Sequence, residues 1–194
     1  MDRKLATIFA SDVVGFSKMM GRDEVKTLEI LRKRREVIDN IIDEHDGIIF
    51  GSAGDSVIAE FASPIKAAEA AVETQLKMKT MNHGKSDDDQ MTFRVGINIG
   101  DVMVTDNNLF GDAVNIAARL ESAAKQYGIY FHTTEETILS AGESNYTWRY
   151  IDRVQFVGKT VWHQTVEILG FKKDEDSKTK KLVSLFNKAQ KEYY

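Results

Sequence analysis

Thr7-Ile8-Phe9-Ala10-Ser11-Asp12-Val13-Val14-Gly15-Phe16-Ser17 runs from an apolar stretch straight into a carboxylate. Nearly every residue from Leu5 to Ser11 is apolar or small, which reads as a buried, central strand. A turn and a helix follow. A carboxylate at the C-terminal end of a buried strand is well placed to hold a divalent cation, and the N–H groups of the next turn and helix start can hold phosphate oxygens. A second stretch, Gly51-Ser52-Ala53-Gly54-Asp55-Ser56-Val57-Ile58-Ala59-Glu60-Phe61, sets another carboxylate beside a glycine between two apolar runs. If the two strands pair, Asp12 and Asp55 meet, and the pattern implies a two-metal nucleotide site.

Outward from this centre, Asp23 to Glu44 shows helical spacing at Val25, Leu28, Leu31, Val37, Ile38, Ile41 and Ile42, with Gly47 expected as its left-handed cap. Ile48–Phe50 and Val57–Phe61 read as a hairpin. Ser63 and Pro64 open an Ala-rich helix to about Met81, and 82–90 is a polar loop. Phe93 to Gly100 alternates as a strand, and Val102–Val104 either continue it or form a second arm. Thr105 to Phe110 reads as a loop. Gly111-Asp112 opens a helix to about Ala124. Gly128–His132 is a short strand, Thr133–Glu136 starts a short helix with a capping signature, and Tyr146–Val157 with Val161–Leu169 forms a closing hairpin that turns near Gly158-Lys159. Phe171–Lys181 lacks apolar periodicity and reads as a charged linker before a short amphipathic tail. The expected division is 1–170 as one domain and 171–194 as linker and tail. The order of elements predicts an α+β fold, a ferredoxin-like antiparallel-rich sheet with packed helices.

The 194 residues suffice for one domain with a real core. The net charge of -4 gives no basic face for nucleic acid. Cys is absent, which excludes disulfides and thiolate metal sites. No apolar run approaches the roughly 18–20 residues that span a bilayer, and there is no signal-peptide pattern. The expectation is a cytoplasmic domain, free or tethered to something larger. His45, His83, His132 and His163 show no metal-ligand spacing, and Met19, Met20, Met78 and Met81 read as core or interface filler.

Four stretches together resemble the catalytic domain of class III nucleotidyl cyclases, the adenylate and guanylate cyclase homology domain. They are Phe9–Ser17, Ala53–Phe61, Phe93–Asp101 (FRVGINIGD) and Phe110–Glu121 (FGDAVNIAARLE), in the family's order and spacing; the resemblance covers Leu5 to Ile168. It implies a head-to-tail homodimer with sites at the interface, and attack of a nucleoside triphosphate's ribose 3′-oxygen on its own α-phosphate. It implies that Asp12 and Asp55 hold two Mg²⁺ or Mn²⁺ ions, that Asn115 positions the ribose and that Arg119 stabilises charge on the α-phosphate. Arg suits that role because it is always charged and forks to phosphate oxygens. The turn Val13, Val14, Gly15 and Phe16 would cradle the triphosphate, and Lys159 would hold its terminal phosphates.

Each residue also has a bland reading. A strand-end Asp can cap a helix, an Asp can sit in a hairpin turn, and an exposed Arg or hairpin-tip Lys can be merely solvated. The base-reading positions depart from the family: Gly51 stands where a Lys or Glu reads the purine, and Asn108 where an Asp is usual. Gly51 has no side chain to bond a base, whereas Asn108 can donate and accept with either purine. The resemblance implies a cyclase, and family frequency favours ATP as substrate, giving cyclic AMP for signal transduction. The alternatives are GTP or relaxed base selection, a non-catalytic nucleotide-binding or regulatory dimerisation module, and a different two-metal phosphotransferase on a palm-like core.

Overall fold

The computed structural model describes residues 2–105, 108–156 and 160–193. The first strand, β1 (Asp2–Val13), is longer than its apolar run because its polar start still pairs with a neighbour. A short helix, α1 (Phe16–Arg22), precedes α2 (Glu24–Glu44). Asp23 starts α2 by accepting a bond from the Lys26 N–H at 3.0 Å, which satisfies one of the donors a helix start leaves unpaired. β2 (Ile48–Ala53) and β3 (Ser56–Phe61) form the expected hairpin. Ser63 caps α3 (Pro64–Asn82), with Pro64 in its first turn. β4 (Phe93–Thr105) is one continuous strand, so Val102–Val104 continue it.

The remaining elements are β5 (Asn108–Phe110), α4 (Asp112–Tyr127), β6 (Phe131–Thr134), α5 (Glu135–Ser140), β7 (Tyr146–Gln155), β8 (Trp162–Phe171) and α6 (Ser177–Tyr193). The sheet order is β2-β3-β1-β4-β6-β8-β7, with β5 pairing β4. Within it, β1-α2-β2-β3-α3-β4 forms the ferredoxin-like unit, with β1 antiparallel to both β3 and β4. β6 then joins β4 in parallel and carries the β7–β8 pair outward.

Period-two alternation decides which helix covers which face. Phe9, Val13, Val57, Phe61, Phe93, Val95 and Ile97 pack beneath α2, α3 and α5. Ala6, Ile8, Ala10 and Val102 face the other way, onto Ala113 and Ala117 of α4. Full burial of Phe9, Phe61, Phe93 and Phe131 stabilises the fold by about 1.5–3 kcal/mol each. Among the described residues no helix is long and apolar enough to cross a membrane.

Three local readings are corrected. The left-handed residue after α2 is Asp46, with φ 59°, and Gly47 is not in that conformation. Gly47 is needed for room instead: a Cβ there would lie 2.6 Å from the Phe61 ring and 2.7 Å from Ile42. The segment read as a loop to Phe110 contains β5, a short strand folded back on the end of β4. The segment read as a linker enters α6 at Ser177, and polar side chains farther along that helix hydrogen-bond to β7. Asn187 Oδ1 accepts from the Tyr150 N–H at 3.1 Å, Gln190 Nε2 donates to the Ile151 carbonyl at 2.6 Å, and the Arg149 guanidinium lies 4.4 Å from the centre of the Phe186 ring. The two hydrogen bonds satisfy backbone groups of the edge strand β7, a task no apolar stripe reveals.

Candidate active site

Asp12 is the last residue but one of β1, and it faces the α4 side of the sheet because it shares the parity of Ala6, Ile8 and Ala10. Asp55 sits at the tip between β2 and β3, after Gly54, whose φ of 59° makes the tight turn. The Asp55 carboxylate comes up against the end of β1. The Val13 N–H donates to Asp55 Oδ2 at 3.0 Å, which ties the hairpin tip to the peptide that follows Asp12. α2 braces the same hairpin: Arg35 donates to the Ser56 carbonyl at 3.2 Å and to Ser52 Oγ at 3.0 Å, while Asp39 holds the rest of its guanidinium.

The turn after Asp12 is fixed through its backbone. The Val14 N–H donates to the Thr92 carbonyl at 2.8 Å, so the N–H groups of both Val13 and Val14 are committed within the chain. Gly15 adopts φ 72° with nothing within 4 Å of a would-be Cβ, so the left-handed backbone is what calls for glycine there. Phe16 packs against the main core, in line with a core role.

Asp12 is not alone. Arg94, its cross-strand partner on β4, contacts both Asp12 oxygens through one nitrogen, at 2.8 and 2.9 Å. The Arg94 Nε donates to Glu121 Oε1 of α4 at 2.7 Å, and Ser122 donates to the other Glu121 oxygen at 3.1 Å. The side chains of Arg94 and Glu121 are only 11% and 8% exposed, against 28% for Asp12, so the triad is shielded at the α4 end and open at the Asp12 end. Burial and the neighbouring Glu121 carboxylate push Asp12 up to about 7, against the opposing pull of Arg94. The resemblance had not singled out Arg94 or Glu121. Their signal was available: a charged residue near the start of a mostly apolar strand, and an acid on the buried stripe of α4.

α4 approaches β4 closely because Gly96 has no side chain. A Cβ there would fall 2.3 Å from the Ala117 carbonyl oxygen and 2.5 Å from the Glu121 nitrogen. α4 buries Ala113, Ile116, Ala117, Leu120, Glu121 and Ala124. Asn115 and Arg119 therefore project from its opposite face, where both are exposed. Within one chain the fold brings Asp12 and Asp55 together and leaves Asn115 and Arg119 on a different surface. Gly51 lies on β2 opposite Ile58, and the Asn108 backbone pairs with Thr105. Lys159 and its turn lie outside the described residues.

With this geometry in place, comparison with known proteins is decisive. Residues 2–171 match the family described as the adenylate and guanylate cyclase catalytic domain. The chain belongs to that family. A relative named putative adenylate cyclase 3, from Rhizobium meliloti, is 43% identical over 128 residues, or 66% of this chain and 22% of that protein. The cyclase domain thus spans well under half the length of that relative. Among solved structures, an adenylate/guanylate cyclase/hydrolase from Silicibacter pomeroyi is 28% identical with a TM-score of 0.77, covering 86% of this chain and 97% of the other. The non-canonical dimeric guanylyl cyclase domain of the RhoGC fusion protein from Blastocladiella emersonii shares the fold at 24% identity, with a TM-score of 0.72 and coverage of 89% and 100%. The family match ends at the last residue of β8, so α6 lies beyond it.

Proposed function

We propose that this cyclase domain converts ATP to 3′,5′-cyclic AMP and pyrophosphate, at sites built between two copies of the chain arranged head to tail. The observation that carries the reading is the division of the chemistry. Asp12 and Asp55 meet at one end of the sheet, whereas Asn115 and Arg119 stand on the outward face of α4. Two copies can join one half to the other. The structural neighbour described as a non-canonical dimeric guanylyl cyclase domain supports a dimer, and the head-to-tail arrangement is what the family resemblance implies.

The donor set fits a divalent cation held jointly with substrate. Among the described residues no group of three or more acidic, His or Cys side chains forms a closed cage. Two carboxylates suit Mg²⁺ or Mn²⁺, which complete their shells with phosphate oxygens. When bound, two such ions would lower the pKa of the 3′-hydroxyl and neutralise the triphosphate. In the reaction the 3′-oxygen bonds to the α-phosphorus, the bond from that phosphorus to the bridging oxygen breaks, pyrophosphate leaves and the hydroxyl proton is released. Asn115 orients the ribose, and Arg119 meets the charge that develops on the α-phosphate, where a fork of N–H donors is worth most. The turn Val13–Phe16 borders the phosphates and Lys159 takes their distal end. Asn108 and the space at Gly51 border the base.

ATP is favoured by the 43% identity to a relative named as an adenylate cyclase. A second reading, relaxed selection that admits GTP, is favoured by Gly51, which offers the base no side chain. Product formation from ATP and from GTP, each with Mg²⁺ and with Mn²⁺, tests both. Mixing Asp12→Ala with Arg119→Ala should restore part of the activity that each lacks alone. If proven heterodimers stay inactive, the shared-site arrangement is wrong. If neither nucleotide yields product while both bind, the domain is a regulatory module.

A further inference from the structure

We propose that Arg94, steered by Glu121, covers the Asp12 carboxylate in the nucleotide-free protein and so competes with divalent cations for it until a triphosphate draws the guanidinium away. The inference rests on the reading of Asp12 as a cation ligand and says when that ligand becomes available.

The geometry is built rather than incidental. Asp12 and Arg94 are register partners on adjacent strands, so the backbone sets their apposition. One Arg94 nitrogen spans both Asp12 oxygens, at 2.8 and 2.9 Å, which engages the pair of atoms a cation would use. Asp55 has one oxygen committed as well, to the Val13 N–H. A cation arriving alone meets a guanidinium on its main ligand, and the two positive charges repel at close range.

Glu121 makes the cover reversible. It grips Nε from α4 at 2.7 Å, and its own second oxygen is held by Ser122. Were Asp12 the only acid paired with Arg94, releasing it would strand a largely buried guanidinium without compensation, which is strongly unfavourable. With Glu121 attached at Nε, the guanidinium can leave Asp12 and remain paired. A triphosphate supplies the acceptors for the departing nitrogen, and its cation takes the vacated carboxylate. Cation and nucleotide binding are then coupled, each tightening the other by the same factor. Glu121 is in this sense a positioning residue, acting through Arg94.

The test is a Mn²⁺ titration of the nucleotide-free protein, with free Mn²⁺ read by its electron paramagnetic resonance signal. It compares the wild type, Arg94→Met, the double variant Arg94→Met/Glu121→Gln, and Asp12→Asn in that double background. The double variant removes one positive and one negative group, so the cluster keeps the net charge of the wild type while Asp12 is uncovered. It also leaves no unpaired Glu121, so it stands in for Arg94→Met if that chain fails to fold. The expected result is Mn²⁺ binding at least about tenfold tighter in the double variant than in the wild type, lost again on Asp12→Asn. Equal or weaker binding in the double variant overturns the proposal. If Asp12→Asn leaves the tightened binding intact, Asp12 is not the ligand, and the metal reading itself fails by a separate outcome.

Discussion

Gly96→Ala should be the most damaging glycine-to-alanine change among the described residues. The new Cβ would lie 2.3 Å from the Ala117 carbonyl oxygen and 2.5 Å from the Glu121 nitrogen. Both are backbone atoms of α4, so no rotamer relieves the contact. Ordinary non-bonded separations lie near 3.5 Å, so α4 and β4 must part by roughly 1 Å. Overpacking of this kind costs about 1–3 kcal/mol. The displacement also moves what α4 carries. Glu121 would stretch from Arg94, and Asn115 and Arg119 would shift with the helix. A misplacement of about 1 Å in a catalytic constellation costs on the order of 100-fold in rate. Urea unfolding reads the first effect and steady-state cyclase kinetics the second, with Gly100→Ala as comparison. The one tight contact of a Cβ at Gly100 is the Ala113 side-chain methyl, at 3.1 Å, so a shift of a few tenths of an ångström absorbs it. Gly96→Ala within about 0.5 kcal/mol of the wild type and unchanged in kcat would refute the close-approach argument.

Two further outcomes follow from particular side chains. His132 is fully buried with Nδ1 3.0 Å from the Leu120 carbonyl, and burial lowers it from 6.5 to about 4. The unfolded chain therefore takes up this proton first, so stability is full above about 6.5 and falls toward pH 4, by about 1.4 kcal/mol per pH unit. His132→Asn, which keeps a donor for Leu120, should flatten that slope in urea titrations at pH 6 and 5; an unchanged slope assigns the acid sensitivity to other groups. At Gly51 a Cβ would meet only Ile58, at an ordinary 3.5 Å. Gly51→Lys should fold normally and change the ratio of kcat/KM for ATP over GTP by about tenfold; an unchanged ratio removes Gly51 from the base-reading surface.

Much of the fold was legible because its signals are local. The alternation in Phe93–Gly100, the cap and proline at Ser63-Pro64 and the helical spacing of α2 each depend on neighbours a few residues away. The approach of the Asp55 turn to the end of β1 was legible too, since Asp12 ends one apolar run and Asp55 precedes another that can pair with it. The misreadings share a cause. Gly47 reads from the sequence as a left-handed cap, but glycine is required there because the Phe61 ring leaves no room for a Cβ, a contact between distant parts of the chain. β5 is three residues long and exists because β4 offers it an edge. The helix α6 is polar where it docks, since its Asn187 and Gln190 bond to the β7 backbone.

The sequence by itself determined the strand end that carries Asp12, the hairpin turn that carries Asp55, the helix face shared by Asn115 and Arg119, and the family. These follow from periods of two and 3.6 and from motif spacing. Tertiary structure alone decided that Asp12 is occupied by Arg94, that Glu121 holds Arg94 in place, and that Asn115 and Arg119 face away from Asp12 within one chain. Those relations join residues 27 and 82 positions apart in the chain. Only the register of two strands, and a helix drawn down onto a glycine, brings them within hydrogen-bonding distance.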